Sequence, residues 1–334
     1  MKNNIHVLDC TLRDGGYVNN WHFGADNAHQ ITELMGSTGV DYVELGFIKH
    51  CDYERDVIQF NDMKQVEDVF LPSKANIAIM VEIGYGYPVT AFPECSESTA
   101  KLIRLVVWKR MIKESVEYAK ALKAKGYDVG IQATRTDQYS LEEFADFIHQ
   151  FNEVNPKSLY IVDTFGLMDK QFLLNYAEVA DKELADGIWL GYHAHNNMQQ
   201  AFSNAVAMCE HEWHRDIMLD ASALGMGRGA GNLCMELLIK HLNEHYSKTL
   251  DPKPVYDVIE HYLMPFYNQS PWGYALPYLL SAINGCNPTY VHYMQEKMLK
   301  PSQMNIIFQE MRKQDAGIRF QPELCDKLCD DLNI

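Results

Sequence analysis

Apolar positions along the chain follow two alternating rhythms. Short runs rich in aliphatic and β-branched residues begin at Ile5 and recur at Val40–Ile48, Asn76–Ile83, Leu102–Trp108, Asp128–Ala133, Ser158–Asp163, Ile188–His193 and Ile217–Ala223. Stretches with apolar residues three and four apart separate most of them: Asn27–Ser37, Met111–Ala124, Leu141–Asn152, Lys170–Lys182, Met198–Glu210 and Leu233–Glu244. The first rhythm predicts strands and the second predicts amphipathic helices. Strands alternating with helices predict a parallel sheet, because parallel neighbours need long crossover connections. Eight such units fit a closed (β/α)8 TIM barrel better than an open sheet, and the expected barrel covers residues 1–248.

Beyond it the pattern changes. Asp251-Pro252-Lys253-Pro254 interrupts the chain, and the residues after it are aromatic-rich and helical in pattern, so 249–334 is expected to form a C-terminal helical region. Tyr262, Phe266, Tyr267, Trp272, Tyr274, Tyr278, Tyr290 and Tyr293 need burial against the barrel or a second subunit, which makes a homodimer the expected assembly.

Composition narrows the class. Among 334 residues, 29 basic side chains face 45 acidic ones, a net charge of −16 without long single-sign blocks. That balance disfavours nucleic acid and anionic membrane as partners and favours small-molecule chemistry. No apolar run approaches the length of a signal peptide core or a membrane span, so the expected location is cytoplasmic. The eight cysteines are expected as reduced thiols, and Cys325 with Cys329 reads as one face of a terminal helix.

Polar residues gather where the predicted strands end: Arg13-Asp14, Glu44, Glu82, Thr134-Arg135, Asp163-Thr164 and His193/His195. In a barrel that is the end where chemistry collects. Strand side chains alternate and rise about 3.3 Å per residue, so His193 and His195 face one way, roughly 6 to 7 Å apart along the backbone. Strands seven and one are separated only by strand eight, and Asp14 can therefore join the two imidazoles around a divalent ion. This donor set suits octahedral Mn2+, Mg2+, Co2+ or Fe2+, and four-coordinate Zn2+ as well. Arg13 and Asp14 can both face inward only if the chain turns there, and Gly15-Gly16 permits it. A guanidinium beside such an ion would stabilise an oxyanion. The glycine-rich Gly225–Asn232 segment after strand eight lets backbone approach a bound anion; Asn232 adds an oxygen ligand or caps the following helix. Dinucleotide binding is the lesser reading of that segment, since its fingerprint belongs in a first βαβ unit.

Three motifs, T-L-R-D-G-G at 11–16, H-A-H at 193–195 and the glycine-rich segment ending at Asn232, resemble the DRE-TIM metallolyases, or HMGL-like superfamily. The length is closest to that of the 4-hydroxy-2-oxovalerate aldolases. The resemblance implies Asp14, His193, His195 and Asn232 as metal ligands, with Mn2+ first among the candidates, and Arg13 as the group that stabilises an enolate. It implies a class II pyruvate aldolase, a carbon–carbon lyase that takes a 2-oxo acid and an aldehyde, with an aldehyde dehydrogenase as a further partner. Two departures narrow the reading: segment 225–232 lacks the cysteine of the hydroxymethylglutaryl-CoA lyases, and the tail leaves too little room for the regulatory extension of leucine-pathway synthases. A third concerns the base. The aldolases carry a histidine three residues after the aspartate, where this chain has Tyr17, a phenol with an ordinary pKa of about 10 that suits orienting or donating. His22 is the alternative base. Two other functions stay open: a Claisen-type acyl-CoA/2-oxo acid condensing enzyme, marked by release of free CoA, and a non-catalytic binding or channelling subunit.

Overall fold

A computed structural model describes residues 4–334. Eight parallel strands close on themselves: β1 Ile5–Asp9, β2 Tyr42–Ile48, β3 Ile77–Glu82, β4 Ala100–Val107, β5 Asp128–Ala133, β6 Ser158–Asp163, β7 Trp189–Ala194 and β8 Ile217–Ala221. Each pairs with its sequence neighbour, and β1 pairs with both β2 and β8, which completes a TIM barrel. A two-residue strand, Gln59–Phe60, adds to the edge of β2 beyond the expected set. The helix Met63–Phe70, whose Asp62 cap accepts from Gln65 N–H, is likewise outside the expected set. Its short length leaves little periodicity to detect in the sequence.

Strand alternation divides the side chains between two layers. Val7, Val43, Ile79, Ile103, Ile131 and Leu219 join the main apolar core with the surrounding helices. Leu8, Ala78, Leu102, Tyr160 and Met218 point the other way and plug the barrel. Gly191 makes room for that plug, because a Cβ there would lie 2.3 Å from the Tyr160 ring. Above the plug the inward positions turn polar: Glu44, Arg104, Gln132, His193 and Asp220 are all buried. That layer is the floor of the site.

Seven helical segments follow the barrel, from Lys253–Val258 to Pro322–Leu332. Residues through Trp272 pack into the main core, whereas Cys286, Tyr290, Met294, Met304, Phe308 and Leu328 build a second cluster that includes Ala230. Of the expected aromatics, Tyr290, Trp272 and Tyr278 are buried, while Tyr274 stays 57 % exposed. The cysteines are all unpaired, Cys325 and Cys329 sharing the last helix. Among the described residues, no helix is long and apolar enough to cross a membrane.

Candidate active site

The first strand ends at Asp9, earlier than its apolar pattern suggests, and Thr11–Asp14 forms one helical turn. In a helix, adjacent side chains diverge by about 100° rather than by the half-turn of a strand. Arg13 and Asp14 therefore both reach the cleft at the C-terminal end of the barrel, as do His193 and His195. One oxygen or nitrogen from each of Asp14, His193 and His195 lies within 4.8 Å of the others, and all three residues are buried. Among the described residues they are the one such group able to hold a metal.

Their remaining bonds show which atoms are free. His193 Nδ1 donates to Asp220 Oδ2 at 2.9 Å, which leaves its Nε2 uncommitted. Asp14 Oδ2, His195 Nδ1 and Asn232 Oδ1 are buried without any hydrogen-bond partner. Orphaned acceptors are costly in a protein interior, and a divalent cation would satisfy all three. The residues present thus fit the group.

Asn232 owes its place to backbone stitching. Asn196 N–H donates to Gly231 C=O, Ala230 N–H donates to Asn197 Oδ1 at 2.7 Å, and His195 forms an isolated bridge with Asn232. A Cβ at Gly227 would meet the Asn232 amide at 2.6 Å, so the loop can fold over that side chain only with glycine there.

An ion-paired chain runs beneath. Arg13 Nη1 donates to Asp14 Oδ1 and its Nε to Glu44 Oε2 at 2.8 Å. Arg104 donates to the same Glu44 oxygen at 2.7 Å, to Gln132 Oε1 at 3.1 Å and to Asp220 Oδ2. Burial alone would raise the Asp14 carboxyl; the Arg13 guanidinium, both histidines and the Asn232 amide outweigh it and hold the group well below the usual carboxylate range. Burial pushes the His195 imidazole down to about 4, against the pull of Asp14. A neutral imidazole and an ionised carboxylate are the forms that bind metal.

Tyr17 stands at the mouth of the cleft, 39 % exposed, its ring edge-on to Trp21 at 4.7 Å. Burial nevertheless pushes its phenol above the ordinary value of 10. His22 is not brought into the cleft. Its Nδ1 faces the Asn20 carbonyl at 2.9 Å, and it lines a separate depression with Phe266 and Gln269. Glu82 does line the cleft, accepting from Trp108 Nε1 at 2.8 Å, and burial raises its carboxyl above the ordinary value.

Arg104 and Asp220 were not singled out by sequence reasoning. Asp220 is the one charge in β8, and Arg104 the one charge in the apolar run Leu102–Val107; that is the signal that marks them, because a charge in a strand segment buried on both faces must have a partner.

Known proteins resemble this architecture. "Oxaloacetate decarboxylase" of Mycobacterium tuberculosis is 22 % identical over 96 % of this chain and 95 % of its own. "4-hydroxy-2-oxovalerate aldolase" of Geobacillus genomosp. 3 is 25 % identical over 79 % of this chain and 78 % of its own. Among solved structures, the N-terminal domain of a candidate aldolase from Bacteroides vulgatus superposes with a TM-score of 0.74 at 25 % identity, covering 90 % of this chain and 98 % of that one. The sequence profile of the HMGL-like family matches residues 4–258. That span takes in every strand of the barrel and every residue of the buried carboxylate–imidazole group, and the chain belongs to the HMGL-like family.

Proposed function

We propose that this protein is a divalent-metal-dependent aldolase that cleaves or forms the C3–C4 bond of a 4-hydroxy-2-oxo acid by way of pyruvate enolate. The family match and the relatives support a lyase or aldolase of this superfamily. The observation that carries the finer reading is the juxtaposition, in one cleft, of the buried Asp14–His193–His195 group and the Arg13 guanidinium.

Asp14, His193 and His195, with Asn232 beside them, would hold the ion, which when bound supplies Lewis acidity toward the oxygens of the 2-oxo acid. The chain's own groups do the rest. Arg13 is locked by Glu44 and Asp14 through Nε and Nη1, so its position costs no reorganisation as negative charge develops on the C2 oxygen. Neither carboxylate takes its Nη2, which is left to face substrate. In the cleavage direction Glu82 accepts the C4-hydroxyl proton, the C3–C4 electron pair moves toward C2 to give the enolate, and the aldehyde departs. Protonation at C3 then yields pyruvate. Burial makes Glu82 a stronger base than a surface glutamate, which suits it to this step better than the Tyr17 phenol. Tyr17 at the mouth donates a hydrogen bond to the aldehyde oxygen.

A second reading is supported by the decarboxylase relative, whose likeness spans 96 % of the chain. Loss of CO2 from a 2-oxo diacid passes through the same enolate. Both are tested by supplying 4-hydroxy-2-oxovalerate or oxaloacetate with Mn2+ and following pyruvate by coupled reduction to lactate. Pyruvate from the first substrate supports the aldolase; pyruvate from oxaloacetate alone, released faster than by Mn2+ without protein, favours the decarboxylase; no release above that background from either, together with no exchange of the pyruvate C3 protons in D2O, overturns both.

A further inference from the structure

Arg228 stands between two cavities. One is the cleft that holds Arg13 and the carboxylate–imidazole group, about 570 Å³ of open space. The other, about 1020 Å³, extends from Tyr17 and Arg228 past Trp272 to Thr289, His292 and Glu296. Tyr17 and Arg228 line both.

The guanidinium is held in place but not neutralised. Its Nη2 donates to Asn287 Oδ1 and to Thr289 Oγ1, the latter at 2.9 Å, and its carbon lies 5.5 Å from the centre of the Tyr17 ring. Both acceptors are uncharged. Among the described residues no carboxylate comes within 4 Å of it, whereas Arg13 in the same cleft is paired with Asp14 and Glu44. A guanidinium carries five N–H donors in a rigid fork suited to two oxygens of one anion, and only Nη2 is engaged here. The one carboxylate on the wall of the second cavity is Glu296, whose charge acts on His292.

We propose that Arg228 receives an anionic group, a carboxylate or a phosphate monoester, on the aldehyde half of the substrate, and that this half extends from the cleft into the second cavity. The inference rests on the aldolase reading and narrows its substrate to 4-hydroxy-2-oxo acids with a second anion beyond C4. Pyruvate itself is excluded from this role: its carboxylate belongs beside the Asp14–His193–His195 group and Arg13, on the floor.

The test uses the full chain with Mn2+ and pyruvate, and compares kcat/KM for two matched acceptor pairs. Glyceraldehyde against glyceraldehyde 3-phosphate reports phosphate; propanal against succinic semialdehyde reports carboxylate. The wild-type protein should favour the charged member of one pair by roughly 10- to 100-fold, the range of a charge-assisted hydrogen bond. Arg228→Gln should shrink that ratio to within about threefold, and Arg228→Lys should restore part of it. A wild-type preference for neutral acceptors overturns the proposal even if the variants do not fold. So does an equal loss for both members of a pair in Arg228→Gln, which would place pyruvate on this residue. Exchange of the pyruvate C3 protons in D2O, without aldehyde, is measured alongside on the wild-type protein. Absence of exchange removes the aldolase reading and this proposal with it; exchange without an anion preference removes this proposal alone.

Discussion

Asp220 joins His193 to Arg104. One buried carboxylate oxygen accepts from the imidazole Nδ1 at 2.9 Å and from the guanidinium Nη2, linking the free Nε2 in the cleft to a cation inside the barrel. Second partners of this kind fix the tautomer and the direction of a ligating histidine.

Asp220→Asn should therefore weaken Mn2+ binding by about 10- to 100-fold, as read by calorimetric titration. It should also lower unfolding free energy by roughly 3 kcal/mol, since Arg104 loses a buried carboxylate and keeps Glu44 as its one charged partner beside the neutral Gln132. Unchanged Mn2+ affinity would show that Asp220 does not orient the imidazole.

Saturating Mn2+ should raise the melting temperature, the expected gain being about 2.7 kcal/mol at a hundredfold excess over Kd. Chelator should reverse it. In Asp14→Asn the shift should vanish, because the acceptor left without a partner is then an amide. Differential scanning fluorimetry with and without metal decides this.

Glu82→Gln should lower kcat by about 10²- to 10⁴-fold. In the wild type the base must be ionised, so kcat should rise with pH through an apparent pKa above the ordinary 4.5 of glutamate. A pH–rate profile with its acid limb intact in the variant would assign the proton to another group.

Asp9 gives a pH dependence unrelated to catalysis. Burial pushes its carboxyl up to about 7 from 3.8, against the Thr11 hydroxyl donating at 2.5 Å, and its Oδ2 is unpartnered. The folded state thus holds a proton that the unfolded state releases. Its contribution to stability is full below about pH 3.8 and is lost as pH rises through about 7. At about 1.4 kcal/mol per unit, the swing is on the order of 4 kcal/mol. Asp9→Asn should make the fall of the denaturation midpoint between pH 4 and about 8 shallower and raise the midpoint at the alkaline end, the remaining slope belonging in part to Asp163, which burial also pushes up to about 7; an equally sloped profile would count against this account.

The barrel was legible because its signals are local. Runs such as Ser158–Asp163 and Asp128–Ala133 are bounded by turn residues and appear as strands over the same spans. His193 and His195 declared themselves through a spacing of two, which strand geometry converts into a shared direction. The floor was hidden for the opposite reason. Arg104 meets Glu44 and Asp220 at sequence separations of 60 and 116, and no local pattern announces a partner that distant. His22 shows the same limit from the other side: it is close to Asp14 in sequence, yet the left-handed Asn20 and Trp21 turn the chain so that its ring meets backbone carbonyls outside the cleft.

The ion-paired floor also sets an electrical balance. Two guanidinium groups, Arg13 and Arg104, stand against three carboxylates, Asp14, Glu44 and Asp220, which leaves a surplus of one negative charge. A divalent cation overshoots neutrality by one positive charge, and a 2-oxo acid with a single carboxylate cancels it. A dication and a monoanion entering together would bring the sum over these five groups to zero, whereas either alone leaves it charged, so each should bind more tightly in the presence of the other.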